Sequence, residues 1–582
     1  MATKVIVLGG GVAGMTAAHE LASRPGFEVV VFELRPVAGG KARSMDAIAG
    51  VGGRRALPGE HGFRFFPGFY KHVPDTMSRI PYRYQLHGVL DNLVTSTQVQ
   101  IAREDARNEL VSPARLPASA SDWEATLKFA LAFATQLEIP VEDQLHFVRL
   151  LSDLLSACEE RRFGQYEQLS WWDFSDAEHC SPGFQKFLAD GLTRSLVAAR
   201  AREMSARTGG SILLQLLQDL ASPAGQADRV LNGPTSDVWI DPWLNELRRL
   251  GVDYRVGCRV DAISSQGSRV TGVRVQPVDE AFAPVGAAFD ATADHYIAAV
   301  PVEVLREAIA MDPLKQASPV LAGLDRLQVR WMNGIMYYLT RDAPLVHGHT
   351  IFIDSAWALT SISQRQFWPR FNPHDMGDGT VGGILSVDIS DWFAPGEFSA
   401  RGKRARDCTR EEIAEEVWDQ LKAALNNGTT VLDDAMRAAW FLDPSIVHPN
   451  PGEAMNLEPL LVNTAGSWDH RPTAALPEVE NLFLASDYVQ TSTDLATMEG
   501  ANEAARRAVN AVLDASGSDA DRCRLWPLQD PGGLPFRLAR EADRVIYKLC
   551  GARHGPPRVL AVEAEQLLSD PLSRLRDVLP WR

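Results

Sequence analysis

Near its start the chain runs from polar Thr3 and Lys4 into apolar Val5-Ile6-Val7-Leu8, and then into Gly9-Gly10-Gly11. A short β-branched run between a polar start and a glycine turn predicts a strand buried on both faces, over Lys4–Leu8. Gly9–Gly14 then reads as a turn and Met15–Ser23 as a helix, stopped by Pro25-Gly26. Glu28–Phe32 is a second strand, ending at Glu33. Farther on the apolar period lengthens. Asp122–Phe163 is amphipathic at helical spacing, with Leu127, Leu131, Phe133 and Leu137 in one stretch and Leu145, Val148, Leu151, Leu154 and Leu155 in the next. Phe184–Leu220 reads as a third long helical stretch and Val238–Leu250 as a helix. Asp253–Val260 is a strand with a hairpin to Val273, and Tyr296–Val300 is another buried strand. Leu327–Leu339 and Gly379–Val387 read as strands of a second sheet. Asn481–Ala485 is a late apolar strand, followed by a helix to about Leu513. Beyond Ser516 the chain is rich in Asp, Arg and Pro, and Val559–Leu579 returns to helical spacing.

At 582 residues the chain exceeds what one hydrophobic core organises, so at least two domains are expected. The net charge of -16 argues against nucleic acid as a partner. Cys158, Cys180, Cys258, Cys408, Cys523 and Cys550 lie far apart with no C-x-x-C, so they read as thiols of a reducing compartment. No metal-ligand set is read. The apolar run at the start is too short for a signal peptide, and no charge-free stretch of about 20 apolar residues occurs to span a membrane. The expected address is the cytoplasm.

The turn spells Gly9-x-Gly11-x-x-Gly14 between a strand and a helix. Gly9 permits the tight turn, Gly11 lets the backbone approach a pyrophosphate, and Gly14 lets helix and strand pack closely. Val12 and Ala13 open the helix, whose free N–H groups and partial positive charge suit phosphate. Glu33 ends the next strand, where a carboxylate can accept hydrogen bonds from ribose hydroxyls. These residues together read as a dinucleotide site.

Two further segments resemble the flavin amine oxidase and phytoene desaturase superfamily. Glu33-Leu34-Arg35-Pro-Val-Ala-Gly39-Gly40-Lys41 resembles its double-glycine signature, which NAD dehydrogenases lack. Asn481-Leu-Phe-Leu-Ala485-Ser-Asp487-Tyr488, followed by Thr497-Met498-Glu499-Gly500-Ala501, resembles its flavin-facing motif near the C-terminus. Ser486 stands where the family has Gly. The resemblance implies FAD, with Asp487 on the ribityl chain and the helix after Thr497 and Met498 aimed at the flavin. A helix N-terminus there would stabilise the negative charge that develops on reduction. The motifs contain no cysteine, so FAD is expected to be held non-covalently.

Within the superfamily, Glu60-His-Gly62-Phe63-Arg64-Phe-Phe66-Pro-Gly68-Phe-Tyr70 is most similar to plant- and cyanobacterial-type phytoene and ζ-carotene desaturases. That resemblance implies that Gly62, Phe63 and Arg64 run beside the isoalloxazine. Val260 falls in a fainter echo of the segment that sets backbone against adenine, and Ala298-Ala-Val-Pro301 is another echo. Arg64 replaces the desaturases' His. As the candidate catalytic residue it has two readings: it grips reduced flavin or a substrate carboxylate, or it pairs with Glu60 or the pyrophosphate.

The expected architecture is α/β: a two-domain, Rossmann-type, glutathione-reductase-like FAD-binding fold with a mixed-sheet and helical substrate domain. Residues 1–80, 225–320 and 475–515 would form the FAD domain. Residues 81–224 and 321–474 would form the substrate domain, and 516–582 an extension packing across both. The expected reaction is hydride transfer from a small lipophilic substrate, as a desaturase or isomerase of a polyene- or isoprenoid-like compound. The alternative is an amine or amino-acid oxidase. Oxygen or a quinone would reoxidise the flavin. Trp171, Trp172, Trp239 and Trp243 could line a lipophilic pocket, although core positions are commoner for such residues. The segment 122–137 faces either its own core or a membrane surface. His61 and His72 read as proton carriers or as ordinary satisfied histidines.

Overall fold

The computed structural model describes residues 2–104, 109–114, 134–135, 137–191, 193–194, 199–221, 228–343, 345–450, 452–530 and 533–559. The amphipathic segment 122–133 and the stretch 560–579 lie outside them.

The first strand, Thr3–Leu8, sits inside a six-stranded sheet. It pairs in parallel with Phe27–Phe32 on one side and His295–Ala298 on the other. Asp253–Arg255 extends the sheet beyond the former, and Val479–Leu484 beyond the latter. Val5 to Leu8 and Val29 to Phe32 are all buried, as strands covered on both faces must be. Helix Val12–Ala22 packs on this sheet and against helix Met498–Ala515. It starts at Val12 rather than Met15, because Gly11 in an extended conformation already serves as the N-cap.

Several sequence-predicted elements are interrupted where glycine or backbone bonding turns the chain. Asp253–Val260 is two strands, Asp253–Arg255 and Cys258–Gln266, separated by Gly257 at φ 63°. The second belongs to a three-stranded antiparallel sheet with Arg269–Pro277 and Phe289–Ala291. Leu327–Leu339 divides into Gln328–Arg330, which pairs with Leu460–Val462, and Asn333–Leu339 in another sheet. Gly379–Val387 becomes Gly383–Ile389, since Gly379 has φ 88° and cannot lie within a strand. Phe184–Leu220 is not one helix. A wide helical turn, Phe184–Asp190, and helix Ala206–Ala221 are separated near Ala201 and Met204, whose carbonyls accept from the Trp172 and Trp171 N–H groups.

The second large sheet has seven strands, antiparallel except for the parallel pair Gln98–Ala102 and Gly348–Phe352. Helix Arg410–Leu425 covers one face, with Tyr337 Oη donating to Ala414 O at 2.6 Å. The other face, carrying Met336, Tyr338, Ile362 and Ile384, packs with Phe63 of the segment 60–70. Gly334 N donates to His61 O at 2.6 Å. A Cβ at Gly334 would meet Gly62 Cα at 2.8 Å, so the segment lies directly on this sheet.

Helix Leu534–Cys550 packs on helices Val141–Ser156 and Glu159–Gly164. Arg161 and Asp543 form a fully buried ion pair there at 2.7 Å. All four tryptophans singled out above are core residues; Trp239 stacks on Trp243 at 6.0 Å, and Trp243 Nε1 donates to His19. Among the described residues no helix is long and apolar enough to cross a membrane.

Candidate active site

A cavity of about 840 Å³ opens between the two large sheets, within the size range of small-molecule sites. Gly9, Gly11, Val12 and Ala13 line one stretch, beside Glu33, Leu34 and Arg35. Gly39, Gly40 and Lys41 face them. The two glycine turns touch: Gly39 N donates to Gly10 O at 3.0 Å, and a Cβ on Gly40 would stand 2.9 Å from Gly11 Cα. Gly14 is not on the wall. A Cβ there would fall 1.9 Å from Gly9 O, so its service is to let the helix sit against the turn. No side chain caps the helix at Gly11 and no acid occupies its first turn. Its amides are thus left for an anionic ligand. Glu33 accepts from Gly10 N at 2.6 Å and Arg35 N at 2.8 Å. Burial raises its pKa, opposed by those two N–H groups. Each oxygen keeps lone-pair capacity for a hydroxyl.

Val260 lines the cavity with Cys258, Arg259 and Asp261, on the strand next to Glu33. If adenosine lies there and the pyrophosphate at Gly11, a flavin ring must reach the opposite end. Gly62, Phe63, Arg64, Asp487, Thr497 and Met498 also line the cavity. Thr497 caps helix Met498–Ala515, its hydroxyl accepting from Gly500 N at 3.1 Å. Ser486 donates to the Asp487 carboxylate at 3.1 Å.

Arg64 donates to Lys41 O at 2.5 Å, and its Nε is buried without a partner. Its hydrogen bond therefore goes to the glycine turn and not to Glu60. Burial lowers its pKa, while Glu60 and Asp388 oppose the shift at longer range. Glu60 is occupied by Thr235 and Ser44. Lys41 bonds Pro459 O and lies 3.5 Å from Glu303.

His61 also lines the cavity, with Nδ1 2.5 Å from Asp443. With Glu458 these two form a cluster of metal-ligating type. Both carboxylates already have partners: Glu458 takes Arg43 and Arg35, and Asp443 takes Asn333 and the Ser445 N–H. The arrangement is an ion-pair network that fixes the wall of the cavity. His72 is a satisfied core histidine between Glu499 and the Trp526 N–H.

The family profile described as flavin containing amine oxidoreductase matches residues 12–513. The chain belongs to that family. It is an FAD-dependent oxidoreductase. No curated protein matches its sequence. Wild-type putrescine oxidase bound to putrescine shares the fold, with TM-score 0.55 and 13% identity over 88% of this chain and 99% of that one. An oxidoreductase from Methanosarcina mazei gives TM-score 0.52 and 13% identity, covering 88% and 100%. These matches reach the amine oxidoreductase family and its fold, not the desaturase branch that residues 60–70 resemble.

In this flavin-containing amine oxidoreductase the uncapped helix start, the paired glycine turns and Glu33 fit an FAD, as the family requires. Sequence reasoning missed the far wall. Asp388, His349 and Thr360 come from the seven-stranded sheet, and Ile212 and Leu216 from helix Ala206–Ala221. His349 packs on Phe63 and Phe65, and burial holds its pKa at about 4, so it is neutral. The available signal for Asp388 was an acid inside the apolar strand Gly383–Ile389. Gly62 owes its identity to this residue, because a Cβ would come 2.6 Å from Asp388 Oδ1. Gly62→Ala should therefore displace the flavin-facing segment and perturb the bound flavin's visible spectrum. An unchanged spectrum would contradict that packing.

Proposed function

We propose that the protein holds FAD non-covalently and dehydrogenates a lipophilic substrate, by desaturation of a polyene- or isoprenoid-like chain. The observation that carries this reading is the apolar lining of the cavity, to which Ile212, Leu216, Phe65, Phe69 and Met332 contribute. FAD supplies a two-electron acceptor for a hydride from a substrate carbon. The chain's own residues position the substrate and exclude water, and the helix start at Thr497–Met498 offers favourable charge to the reduced ring. Oxygen or a quinone is the proposed final acceptor. A second reading, oxidation of an amine, draws on Asp388, whose carboxylate could pair with an ammonium group.

Among the described lining residues the one cysteine is Cys258, on the strand assigned to adenosine. The purified protein should be yellow, and denaturation should release free FAD. Flavin that stays with the denatured chain, or release of FMN, contradicts non-covalent FAD. For the substrate, the holoprotein is mixed anaerobically with carotenoid polyenes in micelles and, separately, with alkylamines. Bleaching of the flavin band by polyenes is expected. Bleaching by amines alone overturns the desaturase reading in favour of the second.

A further inference from the structure

We propose that Asp388 is the proton acceptor in substrate oxidation, a catalytic residue at the ring end of the cavity. The proposal rests on the flavin-dependent dehydrogenation just described.

The geometry begins with strand Gly383–Ile389, whose alternate positions Ile384, Ser386 and Asp388 share a face. Asp388 pairs in register with Gly334 on one side and Thr360 on the other. Neither neighbour carries charge. The side chain meets the cavity and is 7% exposed. Its Oδ1 has no hydrogen-bond partner. The other buried carboxylates around this end are bonded: Glu60 to Thr235, Asp443 to Asn333, Glu458 to Arg43. A structural acid should be bonded in the same way, because a buried polar atom without a partner is costly. Asp388 instead keeps Oδ1 buried and unpartnered against Gly62, while the residue itself lines the cavity. Gly62 is the residue that makes room for it, with Oδ1 2.6 Å from where a Cβ would lie.

The electrostatics suit the task. Burial raises the Asp388 pKa from 3.8 to about 7, opposed by Arg64 and the Phe63 N–H and reinforced by Asp443 and Glu60. A base that ionises near neutrality is matched to accepting a proton at neutral pH. Arg64 also lines the cavity, and its charge opposes the shift without abolishing it.

In the step, a substrate carbon gives a hydride, and thus two electrons, to FAD. The adjacent carbon or nitrogen loses a proton to the Asp388 carboxylate, and the electron pair of that broken bond forms the new C=C or C=N bond. Asp388 is left neutral and returns the proton to solvent. Oxygen or a quinone then takes the two electrons from the flavin.

The test compares wild-type holoprotein with D388N and D388E. A pH titration of the flavin spectrum should show one transition near 7 in wild type, absent from D388N and displaced in D388E. Flavin reduction by whichever reductant bleaches it should be about 100- to 10,000-fold slower in D388N, with substantial recovery in D388E. A D388N protein that keeps the transition, or reduces within a few-fold of wild type, overturns the proposal. If D388N does not fold, the wild-type and D388E titrations decide, and identical midpoints overturn it. A third readout needs no flavin. A carboxyl whose folded pKa is raised loses stability as pH rises from about 4 to about 7. The melting temperature of D388N relative to wild type should therefore climb across that window and then level off. A pH-independent difference overturns the assignment even if the protein purifies without flavin, whereas missing flavin by itself contradicts only the proposed function.

Discussion

Gly14→Ala should yield a protein that no longer retains FAD through purification. The methyl group would stand 1.9 Å from Gly9 O, 3.0 Å from Gly9 C and 3.3 Å from Val7 Cγ1. Two of those atoms are backbone in the turn that the helix must touch, so no side-chain rotation relieves the clash. Helix Val12–Ala22 has to back away, and its uncapped amides leave the phosphate position together. Overpacking of this kind costs about 1–3 kcal/mol, and loss of the aligned N–H groups adds to it. An FAD dissociation constant raised about 100-fold or more is expected. Fluorescence titration of the apo-protein measures it. Gly555→Ala is the control, since a Cβ there meets nothing within 4 Å. Equal affinities for Gly14→Ala and wild type would refute the close-approach role.

Glu458→Ala should be among the most destabilising single changes in the cavity wall. Glu458 accepts from Arg43 at 2.9 and 3.1 Å and pairs with Arg35 at 2.6 Å. Arg43 is 2% exposed and also donates to Gly40 O at 2.7 Å. Without the carboxylate one buried guanidinium is uncompensated, a loss of about 3–5 kcal/mol. Urea unfolding at neutral pH should show it, with weaker FAD binding because Arg43 braces the second glycine turn. Burial alone would raise the Glu458 pKa, but Arg43, His61 and Arg35 together hold it down at about 2. Its stabilisation is therefore complete above the ordinary value of 4.5 and is lost as the pH falls toward 2. The gap between Glu458→Ala and wild type should narrow as the pH drops below 4.5. A gap that stays constant, or a loss under 1 kcal/mol on the scale of exposed pairs, would mean the network does not brace the turn.

The cofactor half of the site was legible because its requirements are local. Strands buried on both faces read as unbroken apolar runs, and Gly9, Gly11 and Gly14 mark a turn that only glycine allows. Glu33 and the second glycine turn follow within one strand. Elements such as Asp253–Val260 were merged in sequence because a single left-handed glycine, Gly257, leaves the apolar pattern almost unchanged. The substrate half depends on pairing between distant strands. Asp388 reaches the cavity because its strand lies between Asn333–Leu339 and Leu359–Ser363, and no residue near 388 records that. The buried state of its carboxyl, and the space made by Gly62, exist only once residues more than 300 positions apart meet. Arg64 was found by its place in a motif, but its bond to Lys41 O was not foreseeable from spacing.

A crystal structure of the FAD-loaded protein tests the central claim most directly. The account predicts adenosine against Glu33 and Val260, pyrophosphate at the start of helix Val12–Ala22, and the isoalloxazine against Gly62–Arg64 with Asp388 facing its substrate side. Arg64 more than about 10 Å from the ring, beyond a screening length in salt, or a flavin whose ring lies away from Asp388, would contradict it.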